Sequence, residues 1–396
     1  MSGVNGRKAG GDVRGRSDVQ VFGIGAAPEV VEIPVGNGPI GSIGVSADGS
    51  RVLVSNYGRH TVSVIDTDTF RVMETIGDIE EPFAIAIGGA HADRAYVSTV
   101  SAAYDSIGVI DMSTNALIAT YPLALSVSDV TVSPDGKYVY ASRNGARGAD
   151  VAVLDTESNR VEVIDIATAA GTTTECVRVS PDGTRLYVGT NGPSGGQLVV
   201  IATGARTAAG PARGGDHSSR HKKSADRAKA KDGQNRLRVV GVIETGSAIR
   251  DVALSPSGAI GYVAGLSSEF GAVIDVIDTR THEITSTRKI AEIGSLVTQL
   301  QISGDGDHAY LVSEDRVTVL CTLTHDVVGT VAVRQPSCVV ESPDGNYLYI
   351  ADQRGVVTAA SVASTTASDI DYAVHETGAT SDWDVPELLQ YEAALA

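Results

Sequence analysis

Apolar residues in this chain come in short, β-branched runs, each cut off by a cluster of turn formers. VTV (130–132), VRV (177–179) and VAL (252–254) precede such clusters. A second run follows each cluster, with an aromatic four residues past its glycine: Tyr140, Tyr187, Tyr262, Tyr310 and Tyr349. Tyr96 matches this position in a degenerate copy, and Leu53 replaces it in the first. A third run reads VSVIDT (62–67), IGVIDM (107–112), VAVLDT (151–156) and IDVIDT (274–279). A fourth reads RVMETI (71–76), LIATYP (117–122), VEVIDI (161–166) and VVGTVA (327–332). Helical periodicity is nearly absent, and runs this short with little clean alternation predict strands buried on both faces.

The punctuation repeats as well. SADG (46–49), SPDG (133–136), SPDG (180–183), SPSG (255–258), SGDG (303–306) and SPDG (342–345) share one turn, and GGAHADR (88–94) is a worn copy between the first two. Proline presets φ, aspartate accepts a local hydrogen bond, and glycine supplies positive φ, which together make a hairpin. With the polar stretch 204–235 set aside, the copies recur about every 44 residues, the length of four short strands and their turns. The chain therefore predicts an all-β fold: a single seven-bladed β-propeller over residues 29–365, with four antiparallel strands per blade. The last copy supplies only three strands, PSCVVES, YLYIAD and GVVTAASV, whereas VVEIPVGNGP (30–39) has the character of a fourth. Residues 30–36 are expected to complete the last blade and close the ring, leaving no edge to aggregate.

The combination of SPDG, a YV-x-(T/N) strand and VxVIDT resembles the YVTN-type β-propeller repeat, as in YncE-like proteins; LYVGTN (186–191) and VLVSNYG (52–58) carry it most clearly. The resemblance spans roughly residues 29–365. It implies blades and no particular reaction, since similar propellers serve as lactonases or as binding platforms and a relative binds single-stranded nucleic acid.

Composition narrows the function classes. The 396 residues carry 31 Lys and Arg against 48 Asp and Glu, a net charge of −17, which disfavours general binding to nucleic acid or anionic membrane. No apolar run approaches the roughly 18 residues of a membrane span, and no apolar segment follows the basic residues at the start, so no secretory signal is visible. Cys176, Cys321 and Cys338 are too few and too scattered for a disulfide framework, and a cytoplasmic location is the expectation.

Two appendages depart from the repeat, besides an N-terminal arm (1–28) expected to be flexible. Residues 204–235 hold eight Lys/Arg and three Asp and read as a polar, basic insertion between the third and fourth strands of blade four, the one segment suited to contact with nucleic acid or an acidic partner. His217 and His221 within it lack the helix that would make their spacing a metal pair. The tail 366–396 has seven acids and no Lys or Arg, and its end, SDWDVPELLQYEAALA, reads as a short amphipathic helix beside the chain's one tryptophan, Trp383. It is expected either to dock on its own ring or to recognise a partner.

In a propeller, ligands meet the channel mouth formed by the loops into the first strand and between the second and third strands. The aspartates Asp66, Asp111, Asp155 and Asp278 lie at the opposite end and are expected to be turn acceptors. Counting four and five residues back from each turn serine predicts the lining: Ser42 and Gly41, Ala84 and Phe83, Asp129 and Ser128, Cys176 and Glu175, Asp251 and Arg250, Gln299 and Thr298, Cys338 and Ser337. The other loops add Asn56, Tyr57, His60, Arg143, Asn144, Asn191, Glu269, Glu314, Asp352 and Arg354. Ligand-binding candidates are thus Asp129, Glu175, Arg250, Asp251, Gln299, Arg143, Asn56 and His60.

Three functions fit such a mouth. The first is a non-catalytic binding or scaffold protein for a protein or small ligand. The second is a metal-assisted lactonase or hydrolase, in which Asp129, Glu175 and Asp251 hold Ca²⁺ or Mg²⁺ and His60 or a carboxylate moves the proton. The third is nucleic-acid binding through Tyr57, Phe83, Tyr104 and Phe270, which the surrounding acids oppose. The chain has no CxxCH, Walker loop, HExxH or GxSxG to select a reaction, so the binding reading asks least of it.

Overall fold

The computed structural model describes residues 21–22, 30–36, 38–88, 93–101, 104–145, 148–167, 169–204, 237–290 and 297–362. Seven antiparallel sheets surround one axis. The inner strands of blades one to seven are Ile40–Val45, Pro82–Ile87, Ser126–Val132, Thr173–Val179, Ala248–Leu254, Gln299–Ile302 and Pro336–Glu341. Each packs on the inner strand of the next blade, and the last packs on the first. Helix among the described residues amounts to a single 3-10 turn, Tyr57–Arg59.

Closure occurs where the strand count demanded it. Val30–Pro34 pairs with Val356–Ser361, with Val30 opposite Ala360 and Pro34 opposite Val356, as the outer strand of blade seven. Proline can occupy this edge because no ladder partner lies beyond it to need its missing N–H. Blade six departs from four strands: Val21–Phe22 pairs with Val327–Ala332 and makes a fifth. An outer strand's unpaired edge accepts such an addition, so part of the expected N-terminal arm belongs to a sheet. The rest of 1–28, nearly all of the basic insertion, and the tail with Trp383 lie outside the described residues. The strands flanking the insertion, Gly195–Ala202 and Arg238–Glu244, pair with each other, Ala202 opposite Arg238.

The core consists of seven separate layers, one between each pair of adjacent blades, and the periodic tyrosine explains them. Tyr140 of blade three packs on Val177, Leu186 and Val188 of blade four. Tyr187 repeats this on Ile249, Val252 and Val263, Tyr262 on Leu300 and Leu311, and Tyr310 on Val339 and Ile350. Tyr349 closes the circle on Ile40, Val52 and Val54, while Tyr96 packs on Val127 and Val139. Leu53 does the same work between blades one and two.

The turn motif also joins blades. In the copies that keep both residues the serine hydroxyl donates to the aspartate, at 2.6 Å for Ser46–Asp48, Ser133–Asp135 and Ser180–Asp182. The threonine of VIDT donates to the turn-glycine carbonyl, as in Thr67 to Gly49 (2.7 Å) and Thr279 to Gly258 (2.6 Å). Those glycines hold positive φ, +71° at Gly183 and +70° at Gly258, and a proline from the preceding blade sits beside each, Pro134 on Gly183 and Pro181 on Gly258. Blade six has Gly304 where blades three, four, five and seven have proline. There Glu341 of blade seven takes over, accepting from Gly304 N (2.6 Å) and from the Tyr310 hydroxyl (2.8 Å).

Candidate functional site

The inner strands enclose a cavity of about 780 Å³ at the channel mouth, and all fourteen residues read from the four- and five-back register line it. Both positions reach the channel because a bulge interrupts the strand there, as between Val127 and Asp129, Thr174 and Cys176, and Ile249 and Asp251. A bulge places two residues opposite one and turns both toward the axis.

The residue two before the turn serine reaches the same channel by ordinary alternation, and this position was missed. In blade four it is Arg178, which also lines the cavity. Its Nη1 donates to Asp129 Oδ2, and its Nη2 lies 2.7 Å from Asp251 Oδ1. One guanidinium thereby ties blades three, four and five together. The carboxylates are anchored further by backbone amides of the next blade, Val177 N to Asp129 (2.9 Å) and Leu300 N to Asp251 (2.9 Å). Gln299 repeats the bond one blade on, accepting from Val339 N at 2.6 Å. Burial pushes the Asp251 carboxyl up from its usual range, opposed by the Arg178 charge. The two carboxylates hold Arg178 firmly protonated against its own burial.

The expected oxygen cage meets a different arrangement. Asp129 and Asp251 do converge, on Arg178, so a fixed cation of the chain stands between the ligands proposed for Ca²⁺ or Mg²⁺. Glu175 faces Arg250 instead. Among the described residues no three His, Cys, Asp or Glu side chains are placed to hold an ion together.

The remaining candidates separate into liners and girders. Glu175 and Arg250 line the cavity, with Arg250 Nη1 4.0 Å from Glu175 Oε2. Asp251 finds its partner in Arg178 and not in its neighbour Arg250. Arg143 does not line the cavity: it is buried and locked to Asp150 by two bonds of 2.7 and 3.0 Å. Asn56 is also buried, bonded to Thr61 and Ser63. His60 sits in the left-handed region (φ 57°) outside the cavity wall, where its Nδ1 accepts from Glu81 N. Asn144 and Asn191 use both ends of their amides on the next blade's backbone, at Thr174 and Ile249 respectively. Tyr57 and Asn144 are the loop residues of the expected set that reach the cavity.

Buried thiols complete the wall without adding a nucleophile. Cys338 is pushed up to about 12 by burial, and Cys176 is raised by burial and by Asp251. Of the exposed aromatics, Phe270 is capped by Lys289 Nζ at 3.1 Å, and Phe83 packs edge-on to Tyr57. At the far end of the channel, Asp66, Asp111, Asp155 and Asp278 accept turn amides as expected, Asp155 from Glu157 N and Ser158 N.

No family model matches the chain. It is 58% identical over 399 residues to the seven-bladed beta-propeller protein Rv1057 of Mycobacterium tuberculosis (strain ATCC 25618 / H37Rv), across the whole of both proteins. A chain of hydrazine synthase from Kuenenia stuttgartiensis superposes with a TM-score of 0.65 at 20% identity, covering 83% of this chain and 97% of that one, a likeness of fold alone. With seven blades in the ring and end-to-end similarity to a protein of that kind, the chain belongs to the family of seven-bladed β-propeller proteins that includes Rv1057.

Proposed function

We propose that the protein is a non-catalytic binding propeller of YVTN type whose funnel receives a small polar ligand. One observation carries this: all seven inner strands build a single cavity of about 780 Å³, in which Asp129, Arg178, Asp251 and Gln299 are already fixed by bonds between blades. That volume lies within the roughly 300–1,000 Å³ of small-molecule sites, and preorganised groups bind without the entropic cost of ordering them. Hydrolysis is the weaker reading, because Asp129 and Asp251 are committed to Arg178, the Cys176 and Cys338 thiols are raised, and His60 is outside the wall. The three free thiols suit a reducing cytoplasm.

The test is a thermal-shift screen of small polar metabolites against the wild type and Ser42→Trp, which fills the funnel from blade one. Compounds that raise the wild-type melting temperature and leave the variant's unmoved support the reading. A screen with no hits, or hits that survive the plug, overturns it.

A further inference from the structure

One pair of charged side chains in the funnel is left open by the ring. Arg178 is saturated by Asp129 and Asp251, but Arg250 is not: its Nε is buried and has no acceptor. Its closest approach to Glu175, 4.0 Å, is well beyond the roughly 2.7–2.9 Å of a formed charge-assisted bond. Glu175 in turn takes only the Thr173 hydroxyl, at 3.2 Å, and the two side chains remain 35% and 28% exposed to the cavity. A buried donor without an acceptor costs free energy, so this guanidinium is left less well satisfied than that of Arg178.

The charges around this pair decide the ligand. A simple anion on Arg250 leaves Glu175 unpaired in a half-buried wall, and a simple cation on Glu175 leaves Arg250 so. A molecule with both charges a few bonds apart satisfies both groups and strands neither. Across the axis from blades four and five, blades one and two line the cavity with Pro39, Ile40, Tyr57 and Phe83, the last 42% exposed. The funnel is therefore charged on one side and apolar on the other.

Resting on the small-ligand reading above, we infer that the funnel binds a small zwitterion with an apolar body, of the class of neutral amino acids and short peptides. The anionic end meets Arg250, the ammonium meets Glu175, and the body lies toward Tyr57 and Phe83.

Calorimetric titration of the full chain with L-phenylalanine, L-leucine and glycyl-phenylalanine tests this, alongside 3-phenylpropionate and 2-phenylethylamine, which each lack one charge. At least one zwitterion is expected to bind, the free amino acids and the dipeptide distinguishing the two sources. Loss of either charge from that ligand should weaken binding roughly tenfold or more. Glu175→Gln and Arg250→Met should weaken the zwitterion similarly while keeping the wild-type melting curve, and Glu175→Gln should improve 3-phenylpropionate. The inference is overturned by an analogue lacking one charge that binds as tightly as its parent, by variants that bind the zwitterion unchanged, or by silence from all three zwitterions. In that last case, hits from the general screen that are lost in Ser42→Trp keep the funnel as a site and reject the zwitterion alone; a screen with no such hits rejects both.

Discussion

Arg178 carries its charge between two carboxylates that the fold has already buried, so its removal costs more than the bonds it makes. Asp251 keeps only 4% of its side-chain surface and Asp129 17%. Breaking a buried pair typically costs about 3–5 kcal/mol because the orphaned charge remains. Arg178→Met should lose about that much in denaturant unfolding, and adding Asp129→Asn and Asp251→Asn should recover most of it. The sign of the pH dependence follows from the direction of the shift. Asp251 is already raised by burial and loses the guanidinium that opposes it. The variant's deficit should therefore shrink as pH falls through the raised pKa, where the acid protonates in the folded state first. A deficit that does not change with pH sinks this account. Arg178 was not legible in the sequence because the same position holds Gly44, Ala86, Thr131, Ala253, Gln301 and Val340 in the other blades. A lone charge in an otherwise uncharged register announces itself only through strand alternation.

Whole strands were easier to read than single side chains, because their signal repeats seven times and the ring multiplies it. The outer strand 30–34 was legible from a shortage, three strands in the last copy, and the ladder with Val356–Ser361 supplies the reason. The two lining positions per blade were legible by counting back from the turn serine, whereas the bulge that turns both inward shows only in the ladder register. The asparagines failed for the opposite reason: Asn56, Asn144 and Asn191 look like loop ligands, yet Asn144 and Asn191 spend their amides on backbone and Asn56 on the Thr61 and Ser63 hydroxyls, and the girder role of Arg143 depends on Asp150. The pairing with Val21–Phe22 left no sequence signal, since two residues carry no period. Truncation separates the two N-terminal strands. A chain starting at residue 29 should stay soluble with a cooperative melt, having lost only the fifth strand of blade six. One starting at residue 37 leaves blade seven without its outer strand and should not accumulate as soluble protein; equal melting curves for the two would refute the closure.

Across the molecule, acid should undo the turns together. Asp48 is held down at about 2 by the Ser46 hydroxyl and by the amide and hydroxyl of Ser50. Asp344 and the VIDT aspartates Asp66, Asp111, Asp155 and Asp278 are lowered by the same kind of local donors, and Asp182 and Asp305 are lowered by theirs against burial. A depressed carboxyl stabilises the fold above its unfolded pKa, about 4, and that contribution is lost as pH falls through the folded value. Stability should thus be level above about pH 5 and decline steeply toward pH 2, read as the urea midpoint at each pH; a midpoint indifferent to pH in that window counts against the shared turn chemistry. The seam between Val30 and Ala360 has a further consequence, for the order of events at the ribosome. The strand that finishes blade seven is made before any blade's inner strand, and its partner only after the first six blades are complete. Until blade seven emerges, the early strand has nothing to pair with and the growing arc ends in a bare edge. A nascent chain that stalls within blade seven therefore carries six finished blades and still offers an open strand to its neighbours, so its most vulnerable moment falls between the sixth blade and the seventh.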